Sequence, residues 1–229
     1  VTINATPAGG YVVDTYSVVG EDSTPIGTSS SFTMPAQAVT VTVTFKVLEA
    51  ANGELIISQY YEGIASDKWI EIYNPGSSAI DLTAGGYRLG IWANAIRESW
   101  KTNGLPTGSV ALTGTLAAGG TYLLAHTSVT NPLYATADVK NGTVCNFNGD
   151  DSLILYTGSN YVFANVVDAF GATNNFASDK SFVRTNSVTA GINTDFSSAD
   201  WVQYTYAAVD AAGATANEYL GYHSTGAAV

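Results

Sequence analysis

The chain has 229 residues, 46% of them apolar and 12% charged, with a formal net charge of −11; that is enough apolar material for one large β domain or two small ones, beneath a polar but weakly charged surface. With 8 Lys and Arg against 19 Asp and Glu, and nothing closer to a basic cluster than Arg97 with Lys101, binding to DNA, RNA or an anionic membrane is not expected, because it depends on neutralising phosphates. No apolar run reaches the ~18 residues of a membrane span, so no membrane insertion is expected.

The first elements are strands. "GGYVVDTYSVV" and "SSFTM" both read as extended, with a turn at Pro35. In "VTVTVTFKV", Val39, Val41, Val43, Phe45 and Val47 alternate with Thr40, Thr42, Thr44 and Lys46. Period two means a strand with one buried face. The pattern breaks at "LEAANGE", whose small and turn-forming residues predict a linker over 48–53, with a boundary near Ala51.

Short strands then follow one another: "ELIISQYY", "KWIEIYN", "YRLGIWA", "SVALTG", "TYLLAH", "DSLILYT", "YVFANVVDAF", "SFVRT" and "DWVQYTY". Each is rich in β-branched or aromatic residues and bounded by Gly, Asn, Asp or Pro. "LYTGSNYVF" reads as a hairpin turning at Gly158. "ANAIRESWK" can make a helical turn, whereas "AAVDAAGATANEYL" lacks an apolar stripe, contains Gly213 and reads as a loop. Regular short strands favour a sandwich or barrel.

Several residue types invite chemistry. In "KWIEIY", Trp69, Glu71 and Tyr73 share one parity, and Asn74-Pro75-Gly76 ends the strand. Glu71 with Glu62 or Asp81 could form a glycosidase pair if they converged across a cleft. Since carboxylates are mostly surface groups, Glu71 is instead expected to face solvent at a strand edge, held by a neighbouring polar group. In "NFNGDDS", Asn146, Asn148, Asp150 and Asp151 could offer oxygen ligands to calcium, but no closing bidentate Glu follows. Asn, Gly and Asp are also ordinary turn residues, and the plain turn is the expectation, with no cofactor. Asp168, in "VVDAFG", reads as fixing a strand end.

Cys145 reads as a small buried hydrophobe. His126 and His223 show no metal-ligand spacing, no GxSxG elbow is present, and the Gly-rich stretches lack the GK[ST] ending of a phosphate loop. The four tryptophans and 14 tyrosines raise carbohydrate stacking, against the commoner burial in a core. Trp92 and Trp100 flank a mixed segment and are the expected exposed pair if a ligand is bound.

Two stretches resemble known families. "GYVVDTYSVVGEDSTPIGTSSSFTMPAQAVTVTVTFK" resembles bacterial surface repeats of the internalin B-repeat type through Gly10-Tyr11, "FTMP" and the "VTVTVTFK" close. These are small β modules used in tandem as spacers or stalks. Residues 54–223 resemble the bacterial, secreted lamin-tail domain, carried by "ELIISQYYEG", "KWIEIYNPGSSAIDL", "YRLGIW", "LTGTLAAGGTYLLAH", "NGDDSLILY", "VVDAFG", "SFVRT", "DWVQYTY" and "YLGYH". That resemblance implies an immunoglobulin-like β-sandwich without catalytic activity of its own. The expectation is thus an all-β chain: a partial repeat module over 1–47, a lamin-tail-type sandwich over 54–223 and a tail over 224–229. Its expected role is a non-enzymatic extracellular or cell-surface interaction or spacer module with a protein or glycan partner. The alternatives are a carbohydrate-binding adhesin and an accessory domain of a secreted hydrolase.

Overall fold

The computed structural model of the chain describes residues 1–6, 11–47, 55–130 and 136–225. Two compact units result, Val1–Leu48 and Glu49–Val229. The expected linker over 48–53 and most of the expected tail lie outside the described residues.

The first unit is a three-stranded antiparallel sheet of β1 (Tyr11–Gly20), β2 (Pro25–Gly27) and β3 (Val39–Val47), in the order β2-β1-β3. The alternation in β3 is real, but its burial is partial: Val41 is 39% and Phe45 44% exposed. A unit this small has little of its own to lay across a sheet face. "SSFTM" is not a strand; Ser31 makes a single bridge to Thr2.

The second unit is a β-sandwich. Its strands are β4 (Ile56–Glu62), β5 (Lys68–Tyr73), β6 (Ile80–Asp81), β7 (Tyr87–Trp92), β8 (Gly108–Ala111), β9 (Thr115–Leu116), β10 (Thr121–Ala125), β11 (Val139–Lys140), β12 (Ser152–Thr157), β13 (Val166–Phe170), β14 (Ser181–Arg184) and β15 (Trp201–Tyr204). One sheet has six strands in the order β11-β10-β5-β4-β14-β15, the other four in the order β13-β12-β7-β8, and β6 pairs with β9. Pairing is antiparallel except between β10 and β11. The fold is all-β and immunoglobulin-like, as expected from the sequence.

The core follows strand parity. Ile57, Tyr60, Ile70, Ile72, Leu124 and Phe182 from the six-stranded sheet meet Leu89, Ile91, Leu153, Leu155 and Phe170 from the four-stranded one. Tyr60 stacks on Phe170 at 4.6 Å, and Trp201 meets Phe170 edge-on at 5.1 Å, geometries favoured by aromatic quadrupoles. Cys145 lies in this core, fully buried.

Both sheets are also covered on their outer faces. Segment 94–104, with two 3-10 turns at Asn94–Ile96 and Ser99–Thr102, lies over the four-stranded sheet together with Tyr161 and Phe163. A short helix α1 (Tyr206–Asp210), capped by the Thr205 hydroxyl accepting from Ala208 N–H, stands where a loop was expected. Val209 from α1 and Leu220 pack on Tyr61, Trp69 and Ala125, outside the six-stranded sheet. Gly149 is required where two loops meet: its φ is +90°, and an added Cβ would lie 2.1 Å from the Ser178 nitrogen.

Candidate functional site

The carboxylates singled out in the sequence are the place to begin. Glu71 is fully buried, not solvent-facing, and β5 is an interior strand of the six-stranded sheet, not an edge. A bulge between Ile57 and Gln59 sets Ser58 beside it. The Ser58 hydroxyl donates to Glu71 Oε1 at 2.6 Å, and Gly221 N–H donates to Oε2 at 2.7 Å. Burial pushes the Glu71 carboxyl up to about 8. Glu62 has the parity of core-facing Tyr60, whose hydroxyl it accepts at 2.9 Å, and it pairs with Lys68 at 3.0 Å. Glu71 and Glu62 therefore lie on opposite faces of one sheet and do not form a glycosidase pair. Asp81 accepts from Ala84 N–H in an exposed turn.

Asp168 lies inside the sandwich, fully buried. Its Oδ2 accepts from Ile57 N–H at 2.6 Å and from Arg184 Nη2 at 2.5 Å, and its Oδ1 accepts from Ile192 N–H at 2.8 Å. Arg184 also donates through Nε to Ile57 O at 3.2 Å, and its guanidinium lies 4.1 Å from the Trp201 ring centroid. Burial drives the Asp168 carboxyl up, while the guanidinium and the two amides oppose it. Asp168 does more than fix a strand end: it ties β4, β13, β14 and the 192 loop together.

The calcium candidates are committed elsewhere. Asp151 is buried, with Oδ1 accepting from Asn94 N–H at 2.8 Å and Oδ2 from Asn148 N–H at 3.1 Å. Asp150 pairs with Arg97 at 3.1 Å, and the Asn146 and Asn148 side chains are exposed. Among the described residues no three His, Cys, Asp or Glu side chains cluster as metal ligands. His126 Nδ1 accepts from Ser128 N–H, while His223 is buried against Tyr73.

Trp92 and Trp100 correct the expectation of an exposed pair, since both are fully buried. Trp92 meets Tyr161 at 4.5 Å and Tyr156 at 6.4 Å, and its indole donates to Gly104 O at 2.8 Å. Trp100 is tilted against Phe163 at 5.6 Å. The segment between them is the lid, and both rings are its undersides; no sugar can stack on them. An open groove of about 240 Å³ lies elsewhere, lined by Thr83, Tyr87, Arg88, Thr113 and Ser159 among others. Arg88 Nη2 donates to Ser109 there. Sequence reasoning missed it because its residues come from three separated stretches, 83–88, 111–113 and 158–159.

Burial pushes the Cys145 thiol up to about 12. Expected result: the folded chain gives no reaction with a thiol-titrating disulfide reagent at pH 8, and one equivalent reacts after denaturation. Reaction of the native protein at the rate of a free thiol would contradict the burial.

Comparison with known proteins places this geometry. The Lamin Tail Domain matches residues 49–205, and the divergent InlB B-repeat domain matches residues 1–49. No curated protein matches the chain. Among solved structures, a DUF4876 family protein from Bacteroides thetaiotaomicron is similar at 11% identity, over 80% of this chain and 75% of that one, with a TM-score of 0.40. That likeness is too distant to carry an argument about function.

Proposed function

The chain belongs to the lamin tail domain family, and from that premise we propose that it is a non-catalytic interaction or spacer module of a larger surface or secreted protein. One observation carries the reading. The buried carboxylates Glu71, Asp151 and Asp168 each accept backbone N–H groups from a distant segment. Such groups clamp loops to a scaffold; a general acid or base needs an open cleft and a reacting partner within reach. The InlB-type repeat ahead of the sandwich supports a surface or extracellular location, as do the low charge and the high content of Gly, Ser, Thr, Asn and Tyr. Among the described residues no helix is long and apolar enough to cross a membrane.

A second reading, carbohydrate binding, is favoured by the Tyr87–Arg88 groove, where an aromatic ring, a cation and hydroxyls converge. A thermal-shift screen against soluble polysaccharides separates the two, because a ligand of the folded state raises Tm by mass action. A shift lost in Arg88→Ala makes the groove a glycan site. The module reading expects no polysaccharide shift, no turnover of glycan, phosphoester or peptide substrates, and saturable binding to a surface protein; measurable turnover would overturn it.

A further inference from the structure

Among the described residues the longest open sheet edge is β3. Val39–Val47 pairs with β1, and no strand lies on its other side. The outermost strands of the two sandwich sheets, β8, β11, β13 and β15, have four, two, five and four residues, against nine in β3. An edge strand holds out every second backbone N–H and C=O, a ready template for another strand.

Edges are normally blunted by a bulge, a Pro, a charge or simple shortness. From Val39 to Phe45, β3 has none of these. The opposite side of the same sheet has all four. β2 is three residues long and starts with Pro25. It covers β1 at Val18 and Val19, and the open stretch of β1 before that is interrupted by a bulge at Asp14. Thr44 turns its hydroxyl toward β1, where Oγ1 accepts from Thr15 N–H at 3.1 Å and lies 2.6 Å from Thr15 Oγ1.

The strand is also its own complement. A two-fold axis through Val43 would lay β3 antiparallel to a second copy of itself. Val41 then faces Phe45 of that copy, Val43 faces Val43, and Thr42 faces Thr44. Moving the axis to Thr42 keeps the match, because symmetric pairing always sets residues an even number apart opposite each other. The apolar face of one copy therefore continues into the apolar face of the other, and threonine meets threonine on the far face. Val41 and Phe45, exposed in the single copy, gain apolar neighbours. With no charge between Val39 and Phe45, no like charges are brought together.

We propose that β3 is a self-association edge: two copies of the chain pair antiparallel through Val39–Phe45, joining their first units into one continuous sheet in the order β2-β1-β3-β3-β1-β2. The contact is isologous, so each copy spends its β3 edge once. The edges left outside are the short β2 and the bulged β1, and assembly stops at two. One shared strand edge is a small interface, which makes the association weak and reversible. The non-catalytic module reading does not depend on this pairing, since it rests on the sandwich carboxylates.

Analytical sedimentation of the full chain from about 10 µM to about 1 mM tests this by mass action. The average mass is expected to climb from 23.8 kDa toward twice that value. Over the same range amide hydrogen exchange within 39–45 is expected to slow several-fold, while amides of β15 keep their rates. The double variant Thr40→Lys with Thr42→Lys, at two exposed positions, sets like charges on both sides of the shared edge and is expected to stay at monomer mass. Its one-to-one mixture with Thr40→Glu, Thr42→Glu is expected to regain the dimer, which a merely unfolded variant would not do. A wild-type chain that stays at monomer mass throughout, a dimer that persists in the Lys variant, a mixture that fails to regain it, or slowed exchange confined to the sandwich overturns the proposal.

Discussion

Arg184→Ala is expected to destabilise the sandwich by about 3–5 kcal/mol, the usual cost of removing one partner from a buried ion pair. The side chains of Arg184 and Asp168 are both fully buried and 2.5 Å apart. Without the guanidinium, Asp168 keeps the amides of Ile57 and Ile192 but becomes an uncompensated interior charge. Trp201 loses its cation–π partner, and Ile57 O loses the Nε donor. Denaturant unfolding followed by tryptophan fluorescence reads this cleanly, because all four tryptophans lie in the second unit. The double variant Asp168→Leu with Arg184→Met should recover much of the loss, since an apolar pair carries no desolvation cost. A single-variant effect below about 1 kcal/mol would mean that the pair is not the clamp described above.

Trp92→Ala is expected to cost a similar amount, about 3–5 kcal/mol, the range for truncating a large buried aromatic. It removes the ring on which Tyr156 and Tyr161 pack and the indole donor to Gly104 O. The whole lid over the four-stranded sheet rests on that ring, so Trp100 and Phe163 should gain solvent exposure as well. Polysaccharide affinity of whatever remains folded should be unchanged, in contrast to Arg88→Ala, which sits in the groove. Near-wild-type stability with a specific loss of glycan binding would restore Trp92 as a ligand platform and contradict its burial.

Trp92 and Asp168 were both singled out in the sequence, and the structure changes the reading of each. Trp92 ends a strand whose other positions of the same parity are Arg88 and Gly90, so its pattern reads as the uncovered face. The cover comes from 94–104 and 161–163, which have no periodicity of their own. Asp168 was read as a local strand-end group, whereas its main-chain partner Ile57 is 111 positions away. Glu71 is the same case at a separation of 150. The Asn148–Asp151 turn was legible as a turn, because its hydrogen bond from Asn148 N–H to Asp151 is local.

What the sequence by itself determined is therefore local and periodic. It includes the strands β3 to β5, β7, β10, β12, β14 and β15, the stop at Asn74-Pro75-Gly76, the buried Cys145 and the all-β class. Period-two alternation and turn chemistry act over a few residues, so they can be read from a few residues. Tertiary structure alone decided which sheet faces are covered, and with that the state of Glu71, Asp168, Trp92 and Trp100. Burial of a strand's second face depends on what the chain lays over it from far away, and pairing of an interior charge depends on a partner that only the closed sandwich brings within 3 Å.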